Sequence, residues 1–74
     1  MLGIRIALLR AGKGWSQAEL ARQIGISASA VGMYEQGRRE PSLSLVVRLA
    51  REFGVTTDYL LMGENPHSKP TKAP

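Results

Sequence analysis

Two short helices joined by a sharp turn at Gly25 are the feature that most constrains this chain of 74 residues. Ser16 precedes the first helix and Glu19 follows three residues later, which is the pattern of a capping box. Ser27 is placed to cap the second helix. The side chains predicted to point inward recur at the helical spacing. They are Leu20, Ala21, Ile24, Ile26, Val31 and Tyr34.

The turn distinguishes this pair from an ordinary antiparallel helical hairpin, which is the alternative interpretation. A hairpin also has caps and an apolar stripe. It does not require a small residue such as Ala21 where two helices approach closely, a glycine at the turn, or apolar residues on both sides of it, here Ile24 and Ile26. The combination favours a helix-turn-helix, whose second helix can enter the major groove of DNA.

Composition narrows the chemistry that the chain can support. There is no cysteine, and the single histidine, His67, lies in a polar stretch, so neither a disulfide nor a metal site nor a cofactor is predicted. The formal net charge is +4 and the pI is about 10.1, which suits a polyanionic partner. No apolar run approaches the roughly 20 residues of a membrane span. We expect a cytoplasmic protein with no membrane segment.

The glycines divide the chain into five short helices. A first amphipathic helix is predicted over residues 2–11, with Gly12 and Gly14 ending it. Its inward side chains are predicted to be Leu2, Ile6 and Leu9, with Leu8 beside them. After the central pair, Ser42 is predicted to cap a fourth helix over residues 43–53 that ends at Gly54. The inward side chains of that helix are predicted to be Leu45, Val46, Leu49, Ala50 and Phe53.

The last part of the chain separates into a helix and a tail. Val55 and Thr56 are predicted to open a fifth helix that Gly63 closes. Residues 64–74 contain three prolines and no aliphatic residue larger than alanine, so we expect a disordered polar tail. No strand-like alternation is present. The sequence therefore predicts an all-α domain over residues 1–63.

These motifs together resemble a known family. The stretch RIALLRAGKGWSQAELARQIGISASAVGMYEQGRREPSLSLVVRLAREFGV is similar to the phage Cro/repressor-type (Xre family) helix-turn-helix domain, and the match runs from about Arg5 to Leu61. The motifs that carry it are S-Q-x-E-L-A, G-x-S, Y-E-x-G-x-R-x-P-S and L-A-x-x-F-G-V. The resemblance implies a compact five-helix lambda-repressor-like fold. It also implies a transcriptional regulator, more specifically a repressor, that binds an inverted repeat in double-stranded DNA as a dimer.

The resemblance makes Ser27 to Gln36 the recognition helix. Its base-reading positions carry over to Ala28, Ser29, Gly32 and Met33, none of which can make a bidentate base contact, so we expect thin direct readout. Gly32 is open to two interpretations: close approach of the backbone to DNA, or a tolerated residue with no role. The DNA-binding positions predicted in this way are Gln17, Ser27, Ala28, Ser29, Gly32, Met33, Gln36, Arg38 and Arg39.

The residues outside the recognition helix have predicted backbone and structural roles. Gln17 matches the glutamine with which the family grips a phosphate. Arg38 and Arg39 match its loop along the DNA backbone, with a solvated basic turn as the alternative. Arg10 and Glu35 stand where the family pairs an arginine of the first helix with a glutamate ending the recognition helix. We interpret them as a structural clamp, and leave a secondary phosphate contact by Arg10 open.

Two classes of function remain, and catalysis is not one of them, because the predicted folded part has no histidine or cysteine and its carboxylates are mostly assigned to caps, the clamp or solvent. The first class is the DNA-binding regulator; the second is an antitoxin or adaptor that binds another protein through the same fold. An apolar C-terminal face could serve a homodimer in the first class or a protein partner in the second. Its residues are Tyr59, Leu60, Leu61 and Met62.

Overall fold

The computed structural model describes residues 2–63, which form five α-helices and no strand. The predicted all-α architecture is therefore confirmed for this part of the chain. The predicted polar tail, residues 64–74, lies outside the described residues. No helix within residues 2–63 is long and apolar enough to cross a bilayer. The helices are α1 (Leu2–Gly12), α2 (Gln17–Ile24), α3 (Ala28–Glu35), α4 (Leu43–Phe53) and α5 (Thr57–Met62).

Side-chain oxygens cap the first turns of α2 to α5. Each accepts a hydrogen bond, 2.9 to 3.2 Å long, from the backbone N–H three residues later. A complete capping box at α2 would also have the Glu19 carboxylate accept a hydrogen bond from the backbone N–H of Ser16. This half of the prediction is wrong, because the carboxylate pairs with Arg22, one turn further along α2. The fifth helix also begins two residues later than Val55. The four capping residues are Ser16, Ser27, Ser42 and Thr56.

The core lies where α1, α2, α4 and α5 converge, and α3 closes it along one side through contacts with α1 and α2. The Trp15 ring packs against this core, with its centroid 6.3 Å from that of Phe53. Ile26, Tyr34 and Val55 also cover its edge. The core side chains are Ile6, Leu20, Ala21, Ile24, Val31, Leu45, Val46, Leu49, Ala50, Phe53 and Leu60.

Two predicted orientations are wrong. Leu8 is 66% exposed rather than turned inward. Positions two residues apart on a helix differ by about 200°, so the burial of Ile6 directs Leu8 towards solvent. Leu60 is fully buried, and therefore cannot belong to an exposed C-terminal seam. It points inward because α5 packs on both α1 and α4.

Arg5 holds the end of α5 against α1. Its Nε donates to the carbonyl oxygen of Leu60 at 2.8 Å, and its Nη2 donates to that of Leu61 at 2.7 Å. These carbonyls belong to the last turn of α5, where the helix itself provides no donor. The side chains of Leu61 and Met62 lie on the surface, 44% and 65% exposed.

Candidate nucleic-acid interface

The turn between α2 and α3 sets the direction of α3. Gly25 has φ 77°, in the left-handed region, and its N–H donates to the carbonyl oxygen of Ala21 at 2.8 Å. The N–H of Ile26 donates to the same oxygen at 3.0 Å. A glycine adopts this conformation at low cost. The chain can therefore reverse within two residues and present α3 across the end of α2.

One side of α3 faces the protein and the other faces solvent. Ala30 and Val31 are buried, and Tyr34 packs against the core. Ala30 was missing from the predicted inward set. On the other side, Ala28 and Ser29 are exposed, Gly32 and Met33 are partly exposed, and Gln36 is exposed at the end of the helix. We call these five residues the outer face of α3: Ala28, Ser29, Gly32, Met33 and Gln36.

Arg10 and Glu35 tie α1 to the end of α3. Arg10 Nε lies 2.6 Å from Glu35 Oε2, and Arg10 Nη2 lies 3.2 Å from Glu35 Oε1. The side chains are only 19% and 8% exposed. Arg10 Nη1 also donates to the carbonyl oxygen of Trp15 at 2.8 Å. The two residues predicted as a clamp therefore form a bidentate, largely buried ion pair that also holds the chain entering α2.

The surroundings of Arg10 favour its charged form. The hydrogen bond to Glu35, together with the negative charge of that carboxylate, raises the pKa of Arg10 above the ordinary value for arginine, while burial acts in the opposite direction. The arginine thus stays charged, so the carboxylate facing it keeps a permanent partner.

Gln17 is part of the same network, which sequence reasoning missed. Its Nε2 donates to Glu35 Oε1 at 2.9 Å. The side-chain amide also lies over Gly32: a Cβ built on that glycine would sit 3.6 Å from Gln17 Oε1 and 3.7 Å from Nε2. These are ordinary contact distances, so the fold itself does not require a glycine at position 32. Gln17 therefore stands at the edge of the outer face of α3.

The two arginines after α3 point in different directions. Arg38 Nη1 donates to Gln36 Oε1 at 3.4 Å, which places its charge beside the outer face of α3. The Arg39 guanidinium instead lies 5.7 Å from the centroid of the Tyr34 ring. There it lines a cleft of about 340 Å³ with Leu2 and Ile4 of α1. The sequence pattern alone treats the pair as equivalent, because adjacent residues of one type carry no sign of their separate neighbours.

Within residues 2–63, no three histidine, cysteine, aspartate or glutamate side chains cluster as metal ligands. The polar groups on or beside the outer face are the amides of Gln17 and Gln36, the hydroxyl of Ser29 and the guanidinium of Arg38. All of these groups can hydrogen-bond phosphate or base edges. The arrangement is chemically suited to contact with nucleic acid.

Comparisons with known proteins agree with this fold. A family model described as helix-turn-helix matches residues 6–60. The SPbeta prophage-derived HTH-type transcriptional regulator YonR of Bacillus subtilis (strain 168) is 41% identical over 63 residues, which cover 85% of this chain and 58% of that protein. This chain thus corresponds to somewhat over half the length of that relative.

Two solved structures with bound DNA share the fold. The P22 c2 repressor in complex with a synthetic operator superposes with a TM-score of 0.82 at 30% identity, covering 86% of this chain and 97% of the repressor chain. The biofilm master regulator SinR in complex with DNA superposes with a TM-score of 0.76 at 31% identity, covering 82% and 98%. The predicted five-helix repressor-like fold is therefore confirmed.

Proposed function

The chain belongs to the helix-turn-helix family whose model spans residues 6–60, and from this premise we propose that it is a sequence-specific regulator of transcription. It binds double-stranded DNA with α3 in the major groove, acts as a repressor, and works in the cytoplasm. Two copies bind an inverted repeat. The relatives named above are regulators or DNA-bound repressors, which supports this assignment.

One observation carries the proposal: two groups that are able to hydrogen-bond phosphate lie beside the outer face of α3. Gln17 lies over Gly32 on one side, and Arg38 is hydrogen-bonded to Gln36 at the end of the helix. A helix that enters the major groove has a phosphate backbone on each side of it. We expect the groups beside α3 to contact these backbones, and the N-terminal amides of α2 beside Gln17 to add donors for the same phosphate. Arg39 stays a proposed second backbone contact.

The salt dependence of binding tests this assignment. A phosphate that the protein no longer contacts keeps its counterions when the protein binds. Arg38→Ala is therefore expected to reduce the magnitude of the slope of log K against log salt by about 0.9, or about twice that in a dimer. Specific and non-specific affinity should fall to a similar extent. Fluorescence anisotropy on a selected duplex and on its scrambled version, from 50 to 200 mM salt, measures both.

Arg51→Ala is the matched control. Arg51 is an exposed arginine in the last turn of α4, about 12 Å along that helix from its first residue. Its removal should leave the slope unchanged. Equal slopes for the two variants would remove Arg38 from the interface. If the parent chain bound no duplex below about 100 µM, the weak end of ordinary non-specific binding, the regulator assignment would be wrong. The antitoxin or adaptor alternative would then stand.

We propose a dimer because the recognition helix α3 is short. An eight-residue helix contacts few base pairs, so selectivity requires a second copy on a half-site about 34 Å away. With Leu60 buried, the seam of the proposed dimer is reduced to Leu61 and Met62, beside Tyr59. These apolar side chains end the last helix of the described chain.

Leu61→Glu is accordingly expected to convert the dimer into a monomer, because a carboxylate buried in an apolar seam is left without a partner. Sedimentation equilibrium of the free protein measures the association constant. Leu43→Glu is the control, since Leu43 is a still more exposed leucine, 73%, at the start of α4. A charge there should leave association unchanged. If the parent chain is monomeric at hundreds of micromolar, or if the two variants behave alike, this seam is wrong.

A further inference from the structure

We propose that α3 selects its DNA mainly through the 5-methyl groups of thymine, with Met33 and Ala28 as the side chains that read them. The inference rests on the proposed function and specifies what the outer face of α3 recognises. The ligand class is duplex DNA whose half-sites place thymine methyls in the major groove opposite these two residues.

The amides that could read adenine are already engaged within the protein. A bidentate adenine contact requires the oxygen and the nitrogen of one side-chain amide together. Gln17 uses Nε2 to donate to Glu35 at 2.9 Å. Gln36 uses Oε1 to accept from Arg38 at 3.4 Å. Each amide therefore already uses one of its donor hydrogens or acceptor lone pairs within the protein, and this hydrogen bond fixes the direction from which it could contact adenine.

The side chains of α3 itself exclude guanine reading. The helix reads ASAVGMYE and carries no arginine or lysine, the residues that bind both acceptors of guanine. Ser29 is exposed, but its hydroxyl can donate a hydrogen bond to any base or accept one from it. It therefore discriminates poorly between the four bases. The polar groups of this helix thus provide little discrimination.

The other residues of the outer face are apolar, and their side chains differ in length. Ala28 is exposed and short, Met33 is partly exposed and long, and Gly32 lies between them. Apolar side chains distinguish bases in the major groove by contact with the thymine methyl, which no other unmodified base has. Methionine suits this contact because its flexible, polarisable thioether adapts to an irregular apolar surface. Ala28 is exposed one turn before Gly32, so its methyl group is available for a second contact of this kind.

Replacing thymine by uracil removes only this methyl and leaves the hydrogen-bonding edge intact. Burying one methyl-sized group contributes about 0.8 kcal/mol, so each thymine that is read should show an affinity about fourfold lower as uracil. The probe is a duplex enriched by the full chain from a random library. It is then resynthesised with uracil at one thymine position at a time, and binding is measured by fluorescence anisotropy.

The protein variants assign the effect to a residue. With Met33→Ala, the fourfold loss should disappear at one position in each half-site and persist at the others. Met33→Leu conserves most of the side-chain volume and should retain the loss, and thermal melting checks that both variants are folded. Leu8→Ala is the control, because Leu8 is a 66% exposed apolar residue on α1. Whatever it does to overall affinity, its thymine-to-uracil ratios should match those of the parent.

The outcomes separate this inference from the proposed function. Equal affinity for thymine and uracil at every position, with a duplex that is still selected and bound, would overturn methyl reading alone. A uracil effect that Met33→Ala leaves unchanged at every position would overturn the role of Met33. Failure to enrich any duplex, with no binding below about 100 µM, would overturn the proposed function itself.

Discussion

Glu35→Ala is expected to lower the free energy of unfolding by about 3 kcal/mol, the lower end of the cost of removing one partner from a buried ion pair. The carboxylate accepts hydrogen bonds from both Arg10 and Gln17. Without it, a guanidinium only 19% exposed keeps its charge and loses its counterion. In a domain of this size such a loss corresponds to a melting temperature lower by more than about 12 °C.

The double variant Arg10→Met with Glu35→Leu is expected to be more stable than Glu35→Ala alone. It leaves no stranded charge, and apolar replacements of a buried pair are often neutral. It does leave the carbonyl oxygen of Trp15 and the amide of Gln17 without their present partners, so it should not exceed the parent by much. Thermal and urea unfolding followed by circular dichroism compare the three proteins.

Glu19→Ala supplies the matched control. Glu19 also pairs with an arginine, Arg22, but that arginine is 68% exposed. Exposed pairs contribute between 0 and about 1 kcal/mol, so this variant should melt close to the parent. If Glu35→Ala had the same melting temperature as Glu19→Ala, the Arg10–Glu35 pair would contribute no more to stability than a surface contact. The proposed structural role of the pair would then be wrong.

Gly3→Ala is the second change with a large expected effect. A Cβ on Gly3 would lie 2.5 Å from the carbonyl oxygens of both Tyr34 and Glu35. These are backbone atoms at the end of α3 and cannot rotate away, so α1 must move. Overpacking of this kind costs about 1–3 kcal/mol. The displacement would also pull Arg10 away from Glu35, so we expect a value in the upper half of that range.

Gly12→Ala on the same helix is the control for this substitution. A Cβ built there meets nothing within 4 Å. The variant should be at least as stable as the parent, because alanine favours a helix by up to about 1 kcal/mol over glycine. Calorimetric melting temperatures of the two variants should therefore move in opposite directions. A Gly3→Ala protein as stable as Gly12→Ala would mean that α1 and α3 do not cross closely at this point.

Most of the secondary structure could be predicted from the sequence because its determinants are local. Ser16, Ser27, Ser42 and Thr56 cap their helices through a backbone amide three residues away. The glycines after α2 and α4 end those helices in the left-handed conformation. Apolar spacing identified every buried side chain of α4. Each signal lies within about one helical turn, so no knowledge of the rest of the chain was needed.

Gly3 shows where that reasoning stops. A glycine inside an apolar helical pattern is a sign of close packing, but the sequence does not say which element approaches it. The same limit applies to Leu60, whose apolar character suits a core or a dimer seam equally well. Its burial follows from the simultaneous contact of α5 with α1 and α4.

The candidate site divides in the same way. The sequence alone determined which residues form the outer face of α3, because the helical period and the inward side chains of that helix decide it. Only the tertiary structure decided what those residues have available for DNA. Gln17 is held by Glu35 from a different helix, and Arg38 and Arg39 diverge towards Gln36 and Tyr34. A hydrogen bond between distant residues depends on the packing of whole helices, and no local pattern encodes that packing.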